Sequence, residues 1–279
     1  MDDNFLAAVN SIINPWNFMS GTEHMGRILY DLIRATRPRT VIEDGTGYTT
    51  PFLAKALLDN LDDFREEKKL ARDKLLSLPQ LDLPLETDIF EMPQAQAQIL
   101  IEWVSSGGKA NCIDPRYYVN PYVPRLFAFE HLGSDDAYVK KIVALLDSLK
   151  LSKVVTMIAG SDFVPNAVPI DALPIDLAWT DHAEDFDKFF DDIWPLLNPK
   201  GGTVVFHFTE PTRAKKSIQR IKDSRAATGD LECLSLVEPH KLFQNGCTLL
   251  RRTTACGSQA SADRPVETIE DIRKFVGQL

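Results

Sequence analysis

Apolar residues recur at helical spacing over residues 20–37, at Met25, Ile28, Leu29, Leu32 and Ile33, with polar side chains between them. Ser20 or Thr22 is placed to cap this predicted helix, and Pro38 stops it. The short apolar run "TVIEDG" at 40–45 then predicts a buried strand. Pro51 suits an early position of the helix that follows, "PFLAKALLDNLDDF". From Arg125 onward the pattern is regular. "RLFAFEHL", "KVVTMIAGS", "IDLAWTDH" and "GTVVFHF" read as strands, separated by the helical stretches "SDDAYVKKIVALLDSLKL" and "EDFDKFFDDIWPLLNP". A helix, "TRAKKSIQRIKDS", and two strands, "LECLSLVEP" and "GCTLLRR", close the pattern. Strands alternating with helices predict an α/β fold, a largely parallel, doubly wound sheet.

One stretch breaks the alternation. Residues 61–80 are charge-rich and helical in composition, and 81–93 hold proline breaks. "QAQAQILIEWVSS" reads as a second helix, and "NCIDPRYYVNPYVPR" is rich in turn residues. A plain strand–helix–strand unit needs about 30 residues, so roughly 60 extra ones lie between the first helix and the second strand. An excursion of that length predicts a helical subdomain, a lid or a dimer interface. The expected organisation is 1–60 for the N-terminal helices and the start of the sheet domain, and 61–124 for the insertion. Residues 125–252 complete the sheet domain, and 253–279 form a tail with a C-terminal amphipathic helix, "VETIEDIRKFVGQL". The insertion's Trp103, Tyr117, Tyr118 and Tyr122 are candidates to line a substrate pocket, because aromatics give apolar walls with a polar tip. Trp16 and Phe18 could serve the same purpose.

Composition narrows the partners. The chain has 279 residues, 44% hydrophobic and 25% charged, as expected for a folded globular protein. A formal net charge of -9 argues against polyanionic partners, both nucleic acid and anionic membrane surfaces. No apolar run approaches the roughly 18–20 residues that span a bilayer. The acidic start "MDDNFLAAV" is unlike a secretory signal. The cysteines at 112, 233, 247 and 256 form no C-x-x-C pair. So few thiols in a large chain fit a reducing compartment, and the cytoplasm is the expected location. The insertion and the C-terminal helix offer surfaces for a homodimer.

In open α/β sheets ligands bind beyond the carboxyl ends of the strands. That rule selects Glu43 to Thr50, Glu130 and His131, Ser161 and Asp162, Asp181 and His182, and His207. Gly45 and Gly47 supply two glycines of a G-x-G-x-x-G turn, with Thr50 at the third position. Glu43 and Asp44 at its start would repel a pyrophosphate lying on the helix N-terminus. They would attract a nucleoside ligand that carries an ammonium and a sulfonium. Glu130, closing the second strand, is placed to accept two ribose hydroxyls.

On these residues the chain resembles the class I S-adenosylmethionine-dependent methyltransferases, within them the catechol-type and related small-molecule O-methyltransferases. "VIEDGTG", Glu130, "AGSDF", "WTDHAEDF", "WPLLNPKGGTVVF" and "LFQNGCTLLRR" carry the resemblance over roughly 20–252, with 61–124 unmatched. It implies a Rossmann-like sheet, mostly parallel with an antiparallel last strand. The implied cofactor contacts are Glu43, Gly45, Thr46, Gly47, Tyr48, Glu130, His131, Ser161, Asp162, Asp181 and His182. S-adenosyl-L-methionine is the implied cofactor and S-adenosyl-L-homocysteine the product, with a small-molecule methyl acceptor and methyl transfer to oxygen more than to nitrogen.

The metal-dependent members hold magnesium on an Asp after the fourth strand and an Asp-Asn pair after the fifth. Asp181 matches the first, but His207 and Phe208 replace the pair, and Phe offers magnesium no oxygen. The lysine those enzymes use as a base falls near Glu184. The expectation is therefore metal-independent transfer by alignment, with His207 as base and Asp181 beside it, because imidazole titrates near neutrality. His24 is a weaker third candidate. Two other classes stay open: a nicotinamide-dependent oxidoreductase and a non-catalytic S-adenosylmethionine-binding protein.

Overall fold

The structure, a computed structural model, describes residues 3–14, 24–77, 91–181, 185–241 and 246–253. Trp16, Phe18, Ser20, Thr22, His182, Glu184 and the tail beyond 253 lie outside the described residues.

The described residues divide into two compact units, those up to 60 with 124–253, and those within 61–123. The first holds a seven-stranded sheet. In chain order its strands are β1 (Thr40–Asp44), β2 (Arg125–Glu130), β3 (Val155–Ala159), β4 (Leu177–Thr180), β5 (Thr203–His207), β6 (Leu231–Val237) and β7 (Gly246–Arg252). They lie side by side as β3-β2-β1-β4-β5-β7-β6. The first five run parallel, and β7 runs antiparallel to both β5 and β6. This is the Rossmann-like arrangement with an inverted last strand. The order reverses at β1, between β2 and β4, so ligand chemistry is expected at the carboxyl ends of those three strands.

The central strands β1, β4 and β5 are buried at every position, as strands covered on both faces must be. Helices α1 (Asp3–Ile12), α2 (Met25–Thr36), α5 (Ala137–Ser148), α6 (Phe186–Ile193) and α7 (Thr212–Ala226) belong to this unit. One face of the sheet packs Ile42, Phe129, Ala178 and Phe206 into a core with Phe189 of α6 and Ile218 of α7. No helix among the described residues is long and apolar enough to cross a membrane.

Helix α2 begins at Met25, with His24 in the capping position and no side-chain cap bond. It ends one residue before Arg37, which turns into the left-handed region at φ 50° ahead of Pro38. Helix α5 does carry a side-chain cap: the Asp136 side chain accepts from the Tyr138 N–H at 2.7 Å.

The helix after β1 differs from the expectation of a short element followed by a separate charged segment. It runs unbroken as α3 (Thr50–Leu76), its residues to Asn60 counting with the first unit and the rest with the second. No Gly or Pro interrupts residues 52–76, and Glu, Lys, Arg, Leu and Ala are strong helix formers, so nothing stops the helix at Phe64.

In the second unit α4 (Gln94–Ser105) is followed by two short 3₁₀ turns, Gly108–Cys112 and Pro115–Tyr118. Phe64, Ala71, Tyr118 and Tyr122 form its apolar centre. Phe64 stacks on Tyr118 with ring centroids 5.1 Å apart, and the Tyr118 hydroxyl donates to Glu67 at 2.8 Å. Trp103 donates its indole N–H to Ser77 and receives Lys74 over its ring at 4.7 Å. Tyr118 and Tyr122 are thus core residues of this unit, and Tyr117 packs against Phe64 and Tyr118.

Candidate functional site

Strand register decides which side chains share a face. Glu43 lies level with Ala128 and Trp179, and Trp179 lies level with Val205. Alternation along each strand then puts Glu43, Glu130, Trp179, Asp181 and His207 on one face at the carboxyl ends. Asp44, Phe129, Thr180 and Phe206 point to the other. The two acids that open the glycine turn therefore separate.

Asp44 belongs to the fold. Its carboxylate accepts from the Phe163 N–H at 2.9 Å and the Thr180 hydroxyl at 3.2 Å, tying the loop after β3 to β1 and β4.

Glu43 is fully buried. Its Oε1 accepts from the Thr49 hydroxyl at 2.6 Å, whereas Oε2 has no hydrogen-bond partner among the described residues. Burial pushes its carboxyl up to about 8, offset in part by hydroxyl donation from the turn and reinforced by Asp181 and Glu130. Asp181 keeps some surface exposure, but desolvation and the charges of Asp44 and Glu130 push it up to about 7. Glu130 is 3% exposed and accepts from the Thr46 hydroxyl at 2.7 Å and the Leu132 N–H at 3.0 Å. His131 Nδ1 lies 3.0 Å from Oε1, the oxygen that also accepts the Leu132 N–H.

Between these acids runs the glycine turn. Gly45 adopts φ 95°, the left-handed region that glycine tolerates, and its N–H donates to the Phe129 carbonyl at 3.1 Å. Gly47 packs closely against α5: a Cβ there would lie 2.9 Å from the Tyr138 hydroxyl, the outer end of that side chain. Thr50, at the third glycine position of the pattern, accepts the Gly47 N–H at 2.9 Å and closes the turn with a side chain. Tyr48 is buried and packs its ring 5.0 Å from Phe52.

Tyr138, from the first turn of α5, was not legible as a site residue. Its hydroxyl donates to the Thr46 carbonyl at 3.3 Å, and burial with the charges of Asp181, Glu130 and Glu43 raises its pKa. The available signal was an aromatic hydroxyl opening the helix that follows the Glu130 strand.

Ser161 pairs with Glu130 through an isolated bridge, and its N–H donates to the Glu130 carbonyl at 3.0 Å, so the turn after β3 borders this cluster. Asp162 is exposed beside it. His207 is fully buried, stacked on Trp179 with centroids 5.5 Å apart and against Phe208 at 4.1 Å. Phe208 follows in the left-handed region at φ 58°, uncommon for an aromatic residue and a mark of local strain at the end of β5.

No protein-family model matches the sequence, and no curated protein matches it. Solved structures do match in fold. The O-methyltransferase TomG from Streptomyces achromogenes, involved in tomaymycin synthesis and crystallised with S-adenosylmethionine, superposes with a TM-score of 0.54 at 16% identity, covering 91% of each chain. Cofactor-bound Rv0187 from MTB superposes with a TM-score of 0.53 at 13% identity, covering 89% of each chain. The chain shares their fold.

Proposed function

We propose that this chain binds S-adenosylmethionine and transfers its methyl group to a small-molecule acceptor, at a hydroxyl oxygen. The cluster of buried carboxyls at the strand ends carries this reading. Burying acids against one another is costly unless a cation joins them, and it repels a pyrophosphate. The residues fit such a ligand: Glu43 Oε2 is a buried acceptor without a hydrogen-bond partner among the described residues, and Gly45 turns the backbone beside it through the left-handed region.

When bound, the cofactor supplies a methyl group on a positively charged sulfur, an electrophile for which alignment does much of the work. In this reading Glu43 holds the methionyl amine and Glu130 accepts the ribose hydroxyls. The backbone of Gly45, Thr46, Gly47 and Tyr48 forms the cradle wall, and His131, Ser161, Asp162 and His182 border the adenine. Asp181, with its carboxyl near 7, is matched to accept a hydroxyl proton at neutral pH. His207, on the same face of the next strand, is the second candidate. A formal charge of -9 favours a small acceptor over a nucleic acid.

Calorimetric titration with S-adenosylmethionine and S-adenosylhomocysteine tests the reading. Micromolar binding is expected, weakened about 10- to 100-fold by Glu130→Ala, which removes an acceptor of charge-assisted bonds. Free Glu43 is protonated below about 8 and a cationic ligand favours its ionised form, so binding releases close to one proton at pH 6.5. Affinity should rise up to about tenfold per pH unit from 6 to 8 and then level off. Titrations in buffers of different ionisation enthalpy read the proton directly. Absence of binding by the unsubstituted protein would overturn the assignment.

A second reading, a protein that binds the cofactor without turnover, draws on the complete burial of His207. Methyl transfer to any member of an acceptor panel would exclude it.

A further inference from the structure

A second constellation lies at the carboxyl end of β6, apart from the acid cluster on β1, β2 and β4. One ligand atom each from His24, Glu238 and His240 lies within 4.8 Å of the other two. We propose that these three side chains bind a divalent transition-metal ion of the zinc class.

The backbone prepares two of the ligands. Glu238 and His240 flank Pro239, whose ring fixes its own φ and holds Glu238 out of the helical region. The Lys241 N–H donates to the Glu238 carbonyl at 3.1 Å, closing a turn that keeps Glu238 and His240 together. The third ligand comes from a distant part of the chain. His24 precedes α2, and its carbonyl accepts the Ile28 N–H at 3.1 Å, so its position is set by the helix start. The two imidazoles meet edge to face, with ring centroids 5.4 Å apart and planes at 67°.

The donor set is chemically apt. Two imidazoles and a carboxylate are a common three-ligand set for zinc, with a fourth position left for water or a substrate atom. Only Glu238 of the three is largely enclosed, its side chain 11% exposed, and neither of its carboxyl oxygens makes a hydrogen bond among the described residues. Lys241 Nζ lies 3.1 Å from Oε1 and balances the carboxylate charge. Metal at Oε2 would leave that pair in place. Tetrahedral zinc holds its ligand atoms about 3.3 Å apart, so the three, within 4.8 Å of one another, draw together by at most about 1.5 Å. Rotation of the exposed His24 and His240 side chains allows this closure. Magnesium and calcium are disfavoured because two of the three ligands are nitrogen. The site would clip the start of α2 to the turn after β6.

The test uses the full chain with any purification tag removed, stripped with a chelator and titrated with zinc alone, then with cobalt(II) as a spectroscopic probe. One ion per chain at micromolar or tighter affinity is expected, with visible cobalt absorption of the intensity given by four-coordinate sites. His24→Ala and His240→Ala should each weaken zinc at least tenfold, and Glu238→Gln should weaken it with the fold's circular dichroism unchanged. The double variant Cys112→Ala, Cys233→Ala removes the two exposed thiols among the described residues and should bind as before. Affinity weaker than about 100 μM, or binding that survives both histidine substitutions, would overturn the proposal. These readouts require no S-adenosylmethionine, so the metal site and the cofactor site stand or fall separately.

Discussion

Glu43→Gln is expected to lower S-adenosylmethionine affinity about 100-fold while making the ligand-free protein more resistant to heat at pH 8. Both effects come from one buried oxygen pair. The carboxyl moves from 4.5 in the unfolded chain to about 8 in the fold. Between those values the folded state binds the extra proton, so the contribution of Glu43 to stability is full below the lower value and falls as pH rises through the window. At pH 8 and above the fold carries a buried carboxylate at a cost on the order of 2–4 kcal/mol. Gln keeps the shape and the acceptor for Thr49 and removes the titration. Each kcal/mol recovered corresponds to about 2–4 °C in melting temperature for a chain of this size. At pH 5, where the acid is protonated in the fold, the two proteins should melt close together. Scanning calorimetry at the two pH values, beside cofactor titration, checks the pair of outcomes. Equal melting at pH 8 would mean that Glu43 is not held in the raised state, and unchanged affinity would remove it from the amine site.

The neighbouring acid should behave in the opposite way. Asp44→Ala leaves the buried Phe163 N–H and the Thr180 hydroxyl without their acceptor and is expected to cost about 2–5 kcal/mol. Asp44→Asn keeps one acceptor oxygen for Phe163 and should lose less than half as much. Urea denaturation gives both numbers. The Asn variant has a second, independent readout. Asp44 is the largest charge raising Asp181, so its neutralisation should move the acidic limb of any turnover profile to lower pH. If Asp44→Ala instead kept full stability and lost only cofactor binding, the two acids would act as a pair on the ligand.

Much of this architecture could be read from residue pattern. Runs such as "TVIED" and "TVVFH" are apolar enough that only burial on both faces accommodates them, and a crossover helix follows each in the parallel part of the sheet. The inverted last strand came from the family resemblance. The glycine turn was legible because glycine at 45, at φ 95°, answers a backbone need that other residues meet poorly. What escaped the sequence depends on register. "ED" reads as one doubly charged patch, yet adjacent strand residues face opposite ways, and only the pairing of β1 with β2 and β4 reveals that Glu43 faces Glu130 while Asp44 holds Phe163. Tyr138 reaches the turn from a position 92 residues away in sequence, and no local signal encodes that contact. Thr50 breaks the glycine pattern, but its hydroxyl does locally what the turn requires. The long α3 escaped because a change in composition at residue 61 resembles a boundary, although helix propensity continues through it.

The proton held by Glu43 also makes the acid cluster a cation exchanger. At neutral pH the ligand-free protein is less negative than its formal -9, because Glu43 is neutral and Asp181 is about half so. In the proposed function S-adenosylmethionine, with one net positive charge when its amine is protonated, would displace one proton from the site. The protein's total charge would therefore stay nearly constant across the binding step. Long-range attraction has little to contribute to such an electroneutral exchange, and added salt has little to screen. Affinity would then be governed by pH and almost indifferent to ionic strength, an unusual pairing for a site built from carboxyl groups.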